Sequence, residues 1–204
     1  MRLHDPLDYI WNSAVKTRLL RVLYRTGGGL TGRRIAGLVG YSHTHTMATL
    51  ADLEAQGLVN MIRAGNSYMF SINMKNEIVK GILAPAFELE SELIGILADR
   101  FYDGLGKALV SVTLFGSVAR REETVESDVD LLLVVKDGTD REKTENKVSE
   151  ISHEVYLAFG CSIAPIVATQ TEYTRKLKRK QGFWGEIPKE GRLIPPKRER
   201  ASIG

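Results

Sequence analysis

Asp128 and Asp130 stand two residues apart at the head of the apolar run DVDLLLVV. Successive side chains of a β-strand alternate between its faces, so this spacing sends both carboxylates to one side. Two carboxylates on one face suit a hard cation, and Mg²⁺ is commonly held by one or two carboxylates together with substrate phosphates. Upstream, Gly116 and Ser117 directly follow a second apolar run, ALVSVTLF from Ala108 to Phe115. Gly116 lets the backbone approach a phosphate closely, and Ser117 offers a hydroxyl and an amide at the start of a helical turn, where partial positive charge favours anions. Arg120 is placed to pair with phosphate or to brace the site. A phosphate grip and a carboxylate pair together describe a site for a Mg-nucleoside triphosphate, with Asp128 and Asp130 as metal-binding and catalytic candidates. Gly116, Ser117, Arg120 and Ser127 are the nucleotide-binding candidates.

Gly116, Ser117, Ala119, Arg120, Ser127, Asp128, Asp130 and Leu131 together spell GSxARxxxxxxSDxDL. This pattern resembles the polymerase-β-like nucleotidyltransferase superfamily, in particular its minimal and kanamycin-nucleotidyltransferase-like members. The resemblance extends loosely from Ala108 to about Ile194. It implies a crossover helix over Asp140 to Phe159, a third strand over Cys161 to Val167 and a basic helix near Thr171 to Lys180. It also implies transfer of a nucleoside monophosphate from a Mg-nucleotide to a hydroxyl acceptor. Two departures from the family pattern stand out. Arg121 occupies a place where glycine is usual. The third strand reads CSIAPIV, without the carboxylate that completes the second metal site or handles the attacking hydroxyl in the family's enzymes. Ala164 is the nearest equivalent position and Ser162 a weaker one, while Glu172 or a partner's residue are alternative sources of the missing group.

The elements that must position this site begin with a separate N-terminal module. Val15, Leu19, Leu20, Val22 and Leu23 recur at helical spacing between Asn12 and Tyr24, and Gly27 to Gly29 stop the pattern. Thr31 and Ser42 are N-cap residues for helices over Thr31 to Leu38 and Ser42 to Gln56. Leu58 to Arg63 and Ser67 to Ile72 read as strands joined by a hairpin turn at Ala64, Gly65 and Asn66. Three helices followed by a hairpin is the order of a winged helix, and the segment from Leu30 to Asn73, with the second and third helices and the hairpin, resembles the winged helix-turn-helix of bacterial transcription regulators. In the third helix Thr46, Leu50 and Leu53 form the inner stripe. Ser42, His43, Thr44 and Met47 are left for base edges, and Arg63 and Asn66 for the wing tip. The resemblance implies double-stranded DNA as partner, although such modules also bind proteins. His43 and His45 lie two apart on a helix and so face differently, which is unsuited to a metal pair.

A helix from Glu77 to Tyr102, interrupted near Pro85, is predicted next, with Leu89, Leu93, Leu97 and Phe101 as one apolar stripe. It is either a spacer or a dimerisation element; two-fold pairing would place two winged helices on two half-sites. Gly104 and Gly106 mark the expected boundary. The expected class is thus α+β: a winged helix over 1–75, a helical connector over 76–104, a nucleotidyltransferase fold with a mixed sheet over 105–195 and a basic tail over 196–204.

Composition agrees with this plan. The 204 residues are 43% hydrophobic and 26% charged, the balance of a folded globular chain. The net charge of +3 is unevenly spread: Lys plus Arg against Asp plus Glu is 10 to 5 over residues 1–80, 7 to 11 over 105–160 and 10 to 4 over 161–204. Basic ends and an acidic middle fit polyanion contacts outside and cation chemistry within. The run TRKLKRK from Thr174 to Lys180 either tracks nucleic-acid backbone or is a solvated face. Phe183 and Trp184 are read as the core anchor of a last helix. With no apolar run of spanning length and no signal-like N-terminus, and with Cys161 as the one cysteine, a cytoplasmic protein without membrane partners is expected. Two functions follow: a DNA-addressed nucleotidyltransferase, or a non-catalytic regulator or antitoxin-like repressor whose second domain senses nucleotide or binds a toxin-type partner.

Overall fold

A computed structural model of the chain describes residues 3–179 and 183–200. The chain divides into two compact units, Met1–Ser91 and Glu92–Gly204.

In the first unit α1 (Pro6–Trp11) and α2 (Ala14–Thr26) precede a short strand β1 (Leu30–Thr31), α3 (Gly32–Val39) and α4 (His43–Ala55). Each of the last three helices has its polar cap. The Ser13 hydroxyl accepts from the Lys16 N–H, Thr31 from Arg34 and Ser42 from His45, satisfying amides that a helix start leaves free. Strands β2 (Val59–Ala64) and β3 (Ser67–Ile72) pair antiparallel across a two-residue loop, and β1 joins β3 to give the order β1-β3-β2. Leu58, predicted to start the first strand, instead donates its N–H to the Leu53 carbonyl and closes α4. Leu19, Leu20 and Leu23 of α2 meet Ile35 of α3, Leu50 and Leu53 of α4, and Phe70 of β3 in one core. Each such side chain contributes about 1.5–3 kcal/mol by leaving water. The unit is a winged helix-turn-helix.

Thr46 belongs to the inner stripe of α4, fully buried, and its hydroxyl has no hydrogen-bond partner. A buried hydroxyl without a partner costs about 1–3 kcal/mol of desolvation. Thr46→Val keeps the shape and removes that cost, so it should stabilise the chain by about 1 kcal/mol, seen as a higher midpoint in urea with an unchanged slope.

The stretch expected to be a connector divides between the two units. Val79–Leu83 is wound as a π-helical turn and continues directly into α5 (Ala84–Leu105). Pro85 lacks an N–H, and the interruption expected near it takes the form of this widened turn, with the helix continuing through it. Val79, Leu83 and Phe87 belong to the first core, whereas Leu97, Ala98 and Phe101 belong to the second. Leu89 and Leu93 are exposed, so the predicted stripe is buried only in its second half. Gly104 does not end the helix. It sits inside α5 where an added Cβ would meet the Ile151 side chain, so the missing side chain permits close packing.

The second unit is built on a mixed sheet of order β6-β5-β4-β7. Its elements are β4 (Leu109–Phe115), α6 (Gly116–Arg120), β5 (Val129–Val135), α7 (Arg141–Phe159), β6 (Ile163–Thr169), α8 (Gln170–Arg179), α9 (Phe183–Glu190), β7 (Arg192–Ile194) and α10 (Lys197–Arg200). β4 runs antiparallel to β5 and β7, while β5 and β6 are parallel and joined by the crossover helix α7. β5 is apolar on both sides. Leu131, Leu133 and Val135 face α5 and α7, whereas Leu132 and Val134 pack with Ala168, Ile187, Tyr173 and Trp184. Trp184 is thus part of a core, as predicted; the side chain of Phe183 and the whole of Lys180 lie outside the described residues, as does the end of the expected basic tail.

Candidate nucleotide site

β4 delivers the chain into α6 at the point where β5 begins, because Phe115 pairs with Asp130 in the β4–β5 register. The connection turns at Gly116, whose φ is +72°. A Cβ there would fall on the Asp130 carboxylate, 2.9 Å from its Cγ. Gly116 is therefore required twice, for the left-handed backbone and for the closeness of the carboxylate. Ser117 follows in the first turn of α6.

Asp130 lies on β5 and Asp128 just before it, half-buried and exposed respectively. Burial pushes the Asp130 carboxyl above its usual range, repulsion from Asp128 adds to this, and Arg120 partly offsets both. The mutual repulsion is what two carboxylates facing one space produce, and a divalent cation between them would relieve it. The donor set therefore fits Mg²⁺.

Arg120 is held by two carboxylates. Its Nε donates to Glu122 Oε2 at 2.8 Å and its Nη1 to Glu190 Oε2 at 2.7 Å, and both acids raise its pKa. It is thus a brace between α6 and the end of α9. Sequence reasoning missed Glu190, which lies 70 positions away and carries no local signal. Ser127 is likewise occupied: its hydroxyl accepts the Thr124 N–H at 2.9 Å and closes the turn 124–127 that carries Asp128 into place.

Arg121, at the place where the family pattern has glycine, ends α6 with φ +60°. That left-handed conformation costs a side-chain-bearing residue about 1 kcal/mol or more, whereas glycine adopts it freely. Arg121→Gly should raise stability by up to about 1 kcal/mol in a thermal melt, part of the gain being returned to the more flexible unfolded chain.

The parallel register pairs Asp130 with Ala164. Paired residues of neighbouring strands point to the same face, so Ala164 stands beside Asp130 where a third carboxylate would project. Among the described residues no group of three or more His, Cys, Asp or Glu converges on a metal position. Glu172 does not fill the gap. Its carboxylate accepts the Thr169 N–H at 3.1 Å while the Thr169 hydroxyl accepts the Glu172 N–H, a capping box that starts α8. Thr169 is five residues along β6 from Ala164, roughly 16 Å at the rise of a strand.

On the winged helix, His43 and Thr44 are exposed at the start of α4, and Ser42 is exposed but serves as its cap. Met47, one turn on from His43, is half-buried. It packs against the first core, and its thioether occupies the space that Gly32 leaves open. Arg63 and Asn66 are exposed on the wing, with the Arg63 Nε donating to the Gly65 carbonyl at 3.3 Å. Two cations were overlooked: Arg33 and Arg34 are exposed in the first turn of α3, next to Gly32, which neighbours the His43 imidazole. Their signal was present in the arginine pair just after the Thr31 cap.

Residues 91–189 match the family described as "Nucleotidyltransferase domain". No curated protein matches the chain. Among solved structures, the antimony-specific transcriptional repressor AntR is 25% identical, covering 43% of this chain and 77% of its own, with a TM-score of 0.37. A homodimeric winged helix-turn-helix DNA-binding domain from Mycobacterium bovis, a possible ArsR-family regulator, is 23% identical over 42% of this chain and 76% of its own, at 0.35. A toxin-antitoxin crystallised with AMP-PNP is 14% identical over 53% of this chain and 78% of its own, at 0.36. Among the described residues no helix is long and apolar enough to cross a membrane. Residues 91–189 are thus similar to the nucleotidyltransferase domain family, and a winged helix-turn-helix precedes them in the chain.

Proposed function

We propose that the chain is a DNA-binding protein whose second unit binds a Mg-nucleotide at Gly116, Ser117, Asp128 and Asp130 and transfers its nucleoside monophosphate to a hydroxyl acceptor. The observation that carries this reading is the seating of the Asp130 carboxylate against the bare Gly116 backbone, with Asp128 near enough to repel it. Gly116 and Ser117 grip the triphosphate, and Asp128 and Asp130 hold the cation against it. Arg120, braced by Glu122 and Glu190, keeps α6 in place beside them. When bound, Mg²⁺ absorbs charge on the phosphate oxygens during in-line transfer. Incubation with α-labelled nucleoside triphosphates, Mg²⁺ and cell extract tests the reading. Transfer of label to a macromolecule that disappears with Asp128→Ala supports it, and absence of transfer with every nucleotide refutes the catalytic part.

The pairing of Ala164 with Asp130 favours a second reading, a nucleotide-sensing regulator without turnover, or an antitoxin-like repressor acting with a toxin-type partner. It shares the nucleotide site and differs only in the absence of transferred label.

The first unit addresses the protein to duplex DNA, supported by its surplus of basic residues and by exposed Arg33, Arg34, His43, Thr44 and Arg63. In a gel-shift titration its affinity should fall steeply with salt, because phosphate neutralisation releases counterions. Replacing His43 and Thr44 with alanine should relax sequence preference, whereas Arg63→Ala should weaken all sequences alike. Absence of binding at low salt to any genomic fragment would leave the winged helix as a protein-interaction module.

A further inference from the structure

The second unit carries a cationic groove of about 580 Å³ that the nucleotide site does not use. It runs along one face of α8, where Thr171, Thr174, Arg175, Lys178 and Arg179 recur at three- and four-residue spacing. The groove starts at the Thr169 end of β6, the end of the strand opposite the aspartates. Arg175, Lys178 and Arg179 form no ion pair with any carboxylate among the described residues. Asp137, the carboxylate in the lining, is turned to the helix start instead. It accepts the Thr171 N–H at 3.1 Å and the Thr171 hydroxyl at 2.8 Å. The remaining basic residue at the centre of this helix is engaged elsewhere, with the Lys176 ammonium 4.5 Å from the centre of the Trp184 ring. The basic run of α8 is therefore sorted by the helix into one packed cation and three that share an open groove.

We infer that this groove binds the phosphate backbone of a nucleic acid. The three cations, from Arg175 to Arg179, span about 6 Å at the rise of an α-helix, about two nucleotide steps along a strand, and Thr174 and Thr171 extend the polar face to about 12 Å. Two of its three cations are guanidinium groups, whose planar forks match phosphate oxygens two at a time. Three cations over that length, in an open channel, suit two neighbouring phosphates of one strand. The lining holds no aromatic side chain to stack a base, so the contacts are to backbone and independent of sequence.

The test uses the full chain and fluorescence anisotropy with three probes: a 20-base-pair duplex DNA, a 20-nucleotide single-stranded RNA and a polyglutamate peptide. A background variant, Arg33→Gln, Arg34→Gln and Arg63→Gln, removes the three winged-helix arginines assigned to DNA, so that the groove's share of binding is read as the difference the groove substitutions make. On that background the proposal expects residual binding to at least one nucleic acid. Adding Arg175→Gln, Lys178→Gln and Arg179→Gln should weaken it roughly tenfold at low salt and make the slope of log affinity against log salt shallower by about two to three. Lys176→Met should leave it unchanged. Arg179→Gln alone, with a smaller effect in the same direction, keeps the test decisive if the triple variant folds poorly. The proposal is overturned if the background variant binds neither nucleic acid, if the groove substitutions change nothing, or if polyglutamate binds the groove at least as tightly at equal salt.

Discussion

Calorimetry of the chain with Mg-ATP and Mg-GTP should show metal-dependent binding that Asp128→Ala plus Asp130→Ala lowers by about 100-fold or more, a loss of roughly 3 kcal/mol. The expectation rests on the Asp130 carboxylate lying against the Gly116 backbone with Asp128 close enough to repel it. The same substitutions should not cost stability in proportion. Burial and repulsion by Asp128 raise the Asp130 pKa, so the folded chain takes up a proton there more readily than the unfolded chain does. Stability should therefore fall as pH rises from the ordinary carboxylate value through the raised one. Asp130→Asn imitates the protonated form. It should abolish metal-dependent nucleotide binding while raising the melting temperature at neutral pH and flattening its dependence in the acid range. Loss of both binding and folding would mean that the aspartates are structural. Equal nucleotide binding by wild type and the double alanine variant would place the nucleotide elsewhere.

Much of this arrangement was readable in the sequence, for reasons that differ between its parts. Caps and turns are local chemistry, so Thr31 and Ser42 are placed at helix starts, and the hairpin around Gly65, from a few residues each, whereas apolar spacing alone does not single out Ser13 as the cap of α2. The spacing of Gly116, Asp128 and Asp130 is set by one strand, one short turn and the next strand, and such spacing survives folding intact. Side-chain direction near the edge of a helix does not. Periodicity puts Met47 on the outward face, and it cannot tell that Gly32 of the preceding helix leaves a space its thioether can enter. Leu89 and Leu97 share one apolar stripe, yet only Leu97 is buried, because a helical repeat says nothing about where one core stops. The bracing of Arg120 by Glu190 joins residues 70 positions apart, and only the tertiary fold brings them together.

The register of the parallel pair makes Ala164 the most informative single position in the second unit. Ala164 pairs with Asp130 on the adjacent strand, so an acid introduced there projects to the same face at the spacing of neighbouring strands, about 4.8 Å. Ala164→Asp should therefore complete a three-carboxylate cluster and tighten divalent-cation binding by about tenfold or more, measured by Mn²⁺ titration with electron paramagnetic resonance. If the wild type already transfers nucleotide, the variant should also transfer it faster, because Asp128, Asp130 and the introduced acid would together hold a second metal, which would supply further charge stabilisation. The cost is a third negative charge beside two that already repel, so without divalent cation the variant should melt at a lower temperature than wild type, and with it the difference should shrink or reverse. Ala164→Asn separates the two effects, adding a similar volume without the charge. Its apo melting temperature should stay near that of wild type, and its cation affinity should rise little. An Ala164→Asp variant with unchanged cation affinity and an unchanged apo melting temperature would show that position 164 does not face the aspartates, and the argument for a missing ligand would fall with it.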